Sequence, residues 1–245
     1  MFLLNLAVIQ SCNYDCYYCT MKEWTYPIDH VFGDGKKANR LTNEILFKWI
    51  DAFLNPNEWM IKITGGEPGL YPEIEGLVLG LAQRGYRGII ETNGSLPIPK
   101  TDNFIRLGAW HLGKPFPVYY DAIVIIQNKN DNWQEKIDHC EKKGIKYLIN
   151  MQRGASSPWT LEERHAEDAT HEKTHYERQL MLYSAGNFQS CPMTKASYGS
   201  IFDMVKPMPF LITTVNCQTC PQFHGMDRLI KWWEEDQSIE PLKAA

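Results

Sequence analysis

Three of the chain's seven cysteines fall in one short stretch, Cys12-Asn13-Tyr14-Asp15-Cys16-Tyr17-Tyr18-Cys19. Their spacing is C-x3-C-x2-C. Thiolates are the usual ligands of iron–sulfur clusters. Three of them on one loop can hold three irons of a four-iron cluster, leaving the fourth iron without a protein ligand. An open metal position is where a substrate or cofactor binds, as at catalytic zinc. A structural zinc loop could also use two or three of these cysteines. A second stretch, residues 60–68, ends in Thr64-Gly65-Gly66-Glu67-Pro68. Paired glycines let backbone approach a ligand closely, and Glu67 sets beside them a carboxylate suited to an amino group.

Two further sets bear metal-ligating side chains. Cys191, Cys217 and Cys220 form C-x25-C-x2-C, with His224 close behind. They could hold zinc or a second iron–sulfur cluster. Cys140, on the apolar side of an expected helix, reads as core packing. His171-Glu172-Lys173-Thr174-His175 is a literal H-E-x-x-H. No third ligand follows it, and its surroundings are strongly polar, so it reads as a solvated helix face.

These residues need a scaffold, and the composition allows one. The chain has 245 residues, 44% of them hydrophobic, enough for one sizeable domain with an appendage. A net charge of −4 gives no basic signal for nucleic acid or an anionic membrane. An odd number of cysteines in metal-ligand spacing points to a reducing, cytoplasmic setting. The apolar run at residues 2–9 lacks a preceding Lys or Arg, which argues against an export signal. No segment approaches ~18 continuous apolar residues, so no membrane span is expected.

The elements alternate. Residues 2–10 read as a buried strand delivering the cysteine loop at its C-terminal end. Thr42 caps a helix running to Leu54. A second strand at 59–64 delivers the Gly-Gly-Glu-Pro turn, and Pro72 suits the first turn of the next helix, which Gly85 stops. A third strand at 88–91 ends in Thr92-Asn93-Gly94. This repeated strand–loop–helix order predicts a parallel α/β sheet. Beyond it, Ala109-Trp110-His111 is a short fourth strand and residues 121–127 a fifth. The roughly nine residues between them fall short of the dozen or so of a helical crossover. Either that step has lost its helix or the Trp110 segment is not part of the sheet. Asp131 caps a helix closed by Gly144, a strand follows at 145–151, and a capping box at Thr160 and Glu163 opens a polar helix reaching about Leu182. A last amphipathic helix covers 227–235. The expected division is 1–185 for the α/β unit and 186–245 for a cysteine-containing extension.

Taken together, the cysteine loop and the Gly-Gly-Glu-Pro turn at the ends of successive strands resemble the radical S-adenosylmethionine (SAM) superfamily. The resemblance runs over residues 3–96 and more loosely to 152. It implies a [4Fe-4S] cluster on Cys12, Cys16 and Cys19, with Tyr18 near the adenine. It places Gly65, Gly66, Glu67 and Pro68 at the methionine amino group and Asn93 near the nucleoside or substrate. It implies reductive cleavage of SAM to a 5′-deoxyadenosyl radical that takes a hydrogen atom from the substrate. Such chemistry belongs to the cofactors, which the protein positions and shields. It implies a partial TIM-type barrel of about six strands, a partial (β/α)6 fold, with its site at the strand C-termini. Those ends carry Gln10, Thr64, Asn93, His111, Gln127, Asn128, Asn150 and Gln152, of which His111 is the best candidate for lining a pocket. The C-terminal cysteines resemble a Twitch- or SPASM-type extension with an auxiliary cluster, which makes modification of a peptide or protein the first expectation, ahead of a small-molecule substrate. The stretch Glu91-Thr92-Asn93-Gly94-Ser95 resembles 7-carboxy-7-deazaguanine synthases and favours a small molecule, although their longer lead before the cysteines is missing. A reductant such as flavodoxin or ferredoxin is implied. The rival outside this family is a non-catalytic iron–sulfur or zinc-binding interaction protein.

Overall fold

A run of six residues that is apolar on both faces, such as Phe2-Leu3-Leu4-Asn5-Leu6-Ala7, fits the centre of a parallel sheet covered on either side. In the computed structural model these residues form β1 (Phe2–Ala7), buried nearly throughout. The structure describes residues 2–16, 19, 41–127, 131–151, 178–184, 186, 188–189, 200–204, 206 and 210–211. Cys191, Cys217, Cys220, Tyr18, the His171–His175 pair, residues Asn128 and Gln152, and the expected helix at 227–235 lie outside them.

The other strands are β2 (Trp59–Thr64), β3 (Arg87–Thr92), β4 (Phe104–Trp110), β5 (Ala122–Gln127), β6 (Tyr147–Met151), β7 (Arg178–Tyr183), β8 (Phe188–Gln189) and β9 (Phe210–Leu211). The sheet order is β6-β5-β4-β3-β2-β1-β7-β8, with β9 also on β7. The strands from β6 through β1 to β7 are all parallel, and β8 and β9 pair antiparallel to β7. This is the α/β, partial-barrel class expected, with a seventh parallel strand added. Residues 178–182 had been expected at the end of a polar helix. They are strand because Leu180 and Leu182 fill the same core as Leu4 and Leu6 on the neighbouring β1.

The helices among the described residues are α1 (Asn43–Phe53), α2 (Ile74–Gln83) and α3 (Trp133–Lys143). Thr42 caps α1 by accepting from the Ile45 N–H. Leu46, Trp49, Ile50, Leu77 and Leu81 cover the outer face of β1, β2 and β7. Pro72 falls in the bend ahead of α2, and Gly85 (φ 80°) ends that helix. Asp131 does not cap α3. Asn132 holds the cap position, and Asp131 pairs with the buried Lys136. Gly144, left-handed at φ 64°, closes the helix as expected. Cys140 is fully buried beside Ile123, Ile125 and Ile137, so it is a core residue.

The fourth strand is longer than expected, and it pairs in parallel with both β3 and β5. The step from β4 to β5 has therefore lost its helix. Two contacts replace it. The Arg106 guanidinium donates to both Asp121 carboxylate oxygens at 2.9 Å, a planar fork that fixes orientation as well as charge. The Val118 and Tyr119 N–H groups donate to the Gly94 carbonyl at 2.8 and 3.0 Å. This link thus rests on the turn that follows β3.

Candidate active site

The cysteine loop leaves β1 level with the end of β2, since Ala7 is registered with Thr64. The ladder then continues beyond the sheet. Val8 N–H donates to Thr64 O at 3.0 Å, Gly66 N–H to Ile9 O at 2.7 Å and Glu67 N–H to Ser11 O at 2.9 Å. Here the structure refines the sequence expectation for the glycines. A Cβ on Gly65, whose φ is +145°, would lie 2.3 Å from Ile9 O, and one on Gly66 only 2.1 Å from Ser11 O and 2.4 Å from Gln10 O. The backbone they admit is that of the cysteine loop itself. Within the loop, Cys19 N–H donates to Cys16 O at 3.1 Å and Tyr14 N–H to Cys12 Sγ at 3.4 Å. Cys16 is buried, Cys19 half-buried and Cys12 exposed, and all three are free thiols.

Glu67 has a structural role that the sequence did not suggest. Its side chain is fully buried. One carboxylate oxygen accepts from Gly69 N–H at 2.9 Å and from the Thr92 hydroxyl at 2.6 Å, and the other accepts from Asn93 N–H at 2.7 Å. The sequence suggested a carboxylate waiting for an amino group. The structure shows a strut that ties the end of β3 to the turn after β2. Pro68 begins the 3-10 turn Pro68–Leu70 that this carboxylate caps.

Asn93 is brought to the cysteine loop. Its Nδ2 donates to Asn13 Oδ1 at 2.8 Å and stands 3.9 Å from Cys12 Sγ, while Asn13 Nδ2 donates to Ser95 Oγ at 2.9 Å. His111, just past β4, meets the same loop, its ring edge-on to Tyr14 at 6.3 Å between centroids. Lys114 lies 5.2 Å over that tyrosine ring. Burial first, then the charges of Lys136 and Lys114, lower the His111 pKa to about 4, so its imidazole is neutral at pH 7. Sequence reasoning missed Asn13, Tyr14, Thr92 and Ser95. The signal available was position alone: two lie between the cysteine ligands and two flank Asn93.

Comparison with known proteins follows the same segment. The family model of the radical SAM superfamily matches residues 6–154, more than half of the chain. The chain belongs to the radical SAM superfamily. Over 88 residues this radical SAM chain is 38% identical to the 7-carboxy-7-deazaguanine synthase of Methanothermobacter thermautotrophicus, covering 36% of this chain and 31% of that protein. Over 158 residues it is 27% identical to the GTP 3′,8-cyclase of Staphylococcus saprophyticus, covering 60% of this chain and 44% of that one. The matches thus span less than half the length of these two relatives. Among solved structures, Streptococcus suis SuiB bound to S-adenosylmethionine has the same fold at a TM-score of 0.56. Identity is 13%, with 91% of this chain and 69% of SuiB covered. SuiB has also been solved with its precursor peptide SuiA.

Membership brings a [4Fe-4S] cluster and SAM, and the residues present fit them. Three free thiols stand on one loop whose base is fixed by backbone bonds on the β2 turn. The Cys12 thiol is pushed up, first by partial burial and then by the negative charges of Glu67 and Cys19. A bound cation reverses that push. Among the described residues no three acidic, His or Cys side chains converge to hold a single ion. A cubane does not ask them to, since each thiolate meets its own iron.

Proposed function

We propose that this radical SAM enzyme cleaves S-adenosylmethionine reductively and takes a hydrogen atom from a small, polar substrate of the nucleotide or deazapurine type. The observation that carries the catalytic part is the continuation of the β1–β2 ladder into the cysteine loop, which joins the thiols to the Gly-Gly-Glu-Pro turn through backbone bonds. When bound, the cluster and SAM supply the electron and the radical. The chain supplies the rest. Cys12, Cys16 and Cys19 hold three irons. The turn of Gly65, Gly66, Glu67 and Pro68 would meet the methionine end, with Glu67 holding that turn in place. By the family resemblance Tyr18 would pack near the adenine, and Asn93 and His111 would border the nucleoside and the substrate. The small-molecule reading is supported by the relatives that share the matched segment, a deazaguanine synthase and a GTP cyclase. A reductant of the flavodoxin or ferredoxin kind and a cytoplasmic setting complete the reading. Among the described residues no helix is long and apolar enough to cross a membrane.

A second reading, peptide or protein modification, is favoured by the spacing of Cys191, Cys217 and Cys220. Those cysteines would hold an auxiliary iron–sulfur cluster or zinc in an extension at 186–245. Metal content separates the two readings: about four irons per chain means one cluster and about eight means two.

The test of the enzymatic reading is anaerobic reconstitution with iron and sulfide, followed by reductant and SAM. 5′-Deoxyadenosine is expected from the wild type and none from Cys16→Ala. A fully reconstituted wild type that yields none would sink the assignment of activity.

A further inference from the structure

The hydrogen bonds around Asn93 fix which way its amide faces. Its Oδ1 accepts from the Ser95 N–H at 3.0 Å and from the Ser95 hydroxyl at 2.5 Å. Its Nδ2 donates to Asn13 Oδ1 at 2.8 Å, and Asn13 Nδ2 donates in turn to Ser95 Oγ at 2.9 Å. The side chains of Asn93, Asn13 and Ser95 thus close a ring. Turning the Asn93 amide over would set its NH2 against the Ser95 N–H, donor against donor, so one orientation fits. The backbone is fixed as well, since the Asn93 N–H donates to the buried Glu67 carboxylate at 2.7 Å.

One hydrogen of that amide is left over. An NH2 group carries two donors. Asn13 takes one, and the same nitrogen stands 3.9 Å from Cys12 Sγ, within reach of an N–H···S contact. The Tyr14 N–H reaches that sulfur too, at 3.4 Å. Cys12 is the exposed thiol of the loop, the one whose hydrogen bonds would otherwise come from water. Anchoring the loop does not call for this donor. The loop's base is already fixed by the Gly66 and Glu67 N–H groups, which donate to Ile9 O and Ser11 O.

Hydrogen bonds to the ligand sulfurs are among the levers that set the potential of an iron–sulfur cluster. An added electron makes those sulfurs richer in charge. An N–H aimed at one therefore stabilises the reduced state more than the oxidised state and raises the potential. We infer that Asn93 is a positioning residue that eases one-electron reduction of the cluster, through the hydrogen bond that its locked amide gives to the Cys12 sulfur. The electron itself comes from a reductant of the flavodoxin or ferredoxin class. The inference rests on the reading above in which Cys12, Cys16 and Cys19 hold the cluster. It gives Asn93 a task that precedes SAM cleavage and is separate from any contact with the nucleoside.

The test is a reductive titration of the reconstituted chain without SAM, with iron content measured first and the reduced cluster read by electron paramagnetic resonance. Asn93→Ala removes the donor. Asn93→Asp can keep the ring, with the Asn13 amide reversed, but sets a carboxylate oxygen where the donor stood. At a fixed applied potential the reduced-to-oxidised ratio should fall about ten-fold in Asn93→Ala, the order of effect that partners of metal ligands have and equivalent to about 59 mV for one electron. It should fall further in Asn93→Asp. Asn13→Ala opens the ring but leaves the donor, and should change the ratio less than Asn93→Ala does. A ratio within about two-fold of wild type, in whichever Asn93 variant keeps its iron, would overturn the inference. So would an equal change in Asn13→Ala, which would place the effect in the ring, or loss of iron from both Asn93 variants, which would make the role structural alone. A wild-type chain that takes up no iron would overturn the ligand assignment and the inference with it, an outcome seen before any potential is applied.

Discussion

Replacing Glu67 by Gln separates two accounts of the Gly-Gly-Glu-Pro turn. In the structure its carboxylate accepts three hydrogen bonds, from Gly69 N–H, the Thr92 hydroxyl and Asn93 N–H, in a fully buried setting. Glutamine has one acceptor oxygen and one amide NH2. Turned one way, the NH2 meets Asn93 N–H. Turned the other way, it meets Gly69 N–H. The Thr92 hydroxyl offers little relief, because it already accepts from Gly94 N–H at 3.0 Å. Either orientation leaves one buried backbone donor and part of the new amide without partners. An orphaned buried donor costs about 1–3 kcal/mol, and a bond to a charged acceptor contributes about 1.5–3 kcal/mol. The expected loss is therefore about 3 kcal/mol, a large part of the roughly 5–15 kcal/mol that holds a domain folded. The assay is urea unfolding of the metal-free chain under reducing conditions, with SAM affinity measured separately on reconstituted protein. If the carboxylate instead served to hold the methionine amino group, Glu67→Gln would unfold at the wild-type midpoint and lose only SAM binding. An unfolding free energy within about 0.5 kcal/mol of wild type would refute the strut.

Three further outcomes follow from the same geometry. Gly66→Ala places a Cβ against two backbone oxygens of the cysteine loop, so the loop must move. Iron retained after reconstitution should fall several-fold while far-ultraviolet circular dichroism stays that of the folded chain. His111 has a folded pKa of about 4, against about 6.5 unfolded. Its contribution to stability is full above pH 6.5 and is lost as pH falls toward 4, because the unfolded chain takes the proton first. His111→Asn should flatten that part of the stability–pH curve relative to wild type. Arg106→Lys keeps the charge but loses the fork on Asp121. It should lower stability by about 1–2 kcal/mol, read by thermal unfolding.

What the sequence made legible were features that depend on near neighbours. The cysteine spacing, the Thr42 cap, the Gly144 stop and the α/β alternation each lie within one element or one turn. The strut made by Glu67 was not legible because its partners come from residues 69, 92 and 93, and only folding brings them together. The strand β7 was hidden for a different reason. Its apolar positions, Leu180, Met181 and Leu182, form too short a run to separate a strand from the end of a helix by period, and an upstream capping-box pattern favoured helix. The start of β4 was obscured by Arg106, a charge that no short-range pattern explains and that Asp121 neutralises fifteen residues later. The ion pair of Lys62 and Glu91 escaped notice because each residue alone reads as the polar member of an alternating strand.

The ends of the strands divide into two kinds by what holds them. Those of β1, β2 and β3 are joined by backbone bonds from Val8, Gly66 and Glu67 and by the buried Glu67 carboxylate. Few side-chain substitutions there leave the thiols in place. No such bonds are seen at the ends of β4 and β5 among the described residues: Arg106 with Asp121 ties the start of β5 to the first half of β4, and the link between the two strands rests on Gly94. Inner-face side chains of β4 and β5 can therefore change without disturbing the metal loop. Selection for a new substrate would act on that side of the barrel first. Glu91 sits at the boundary: its backbone belongs to the strand that the Glu67 strut fixes, and its side chain faces the interior that is free to vary.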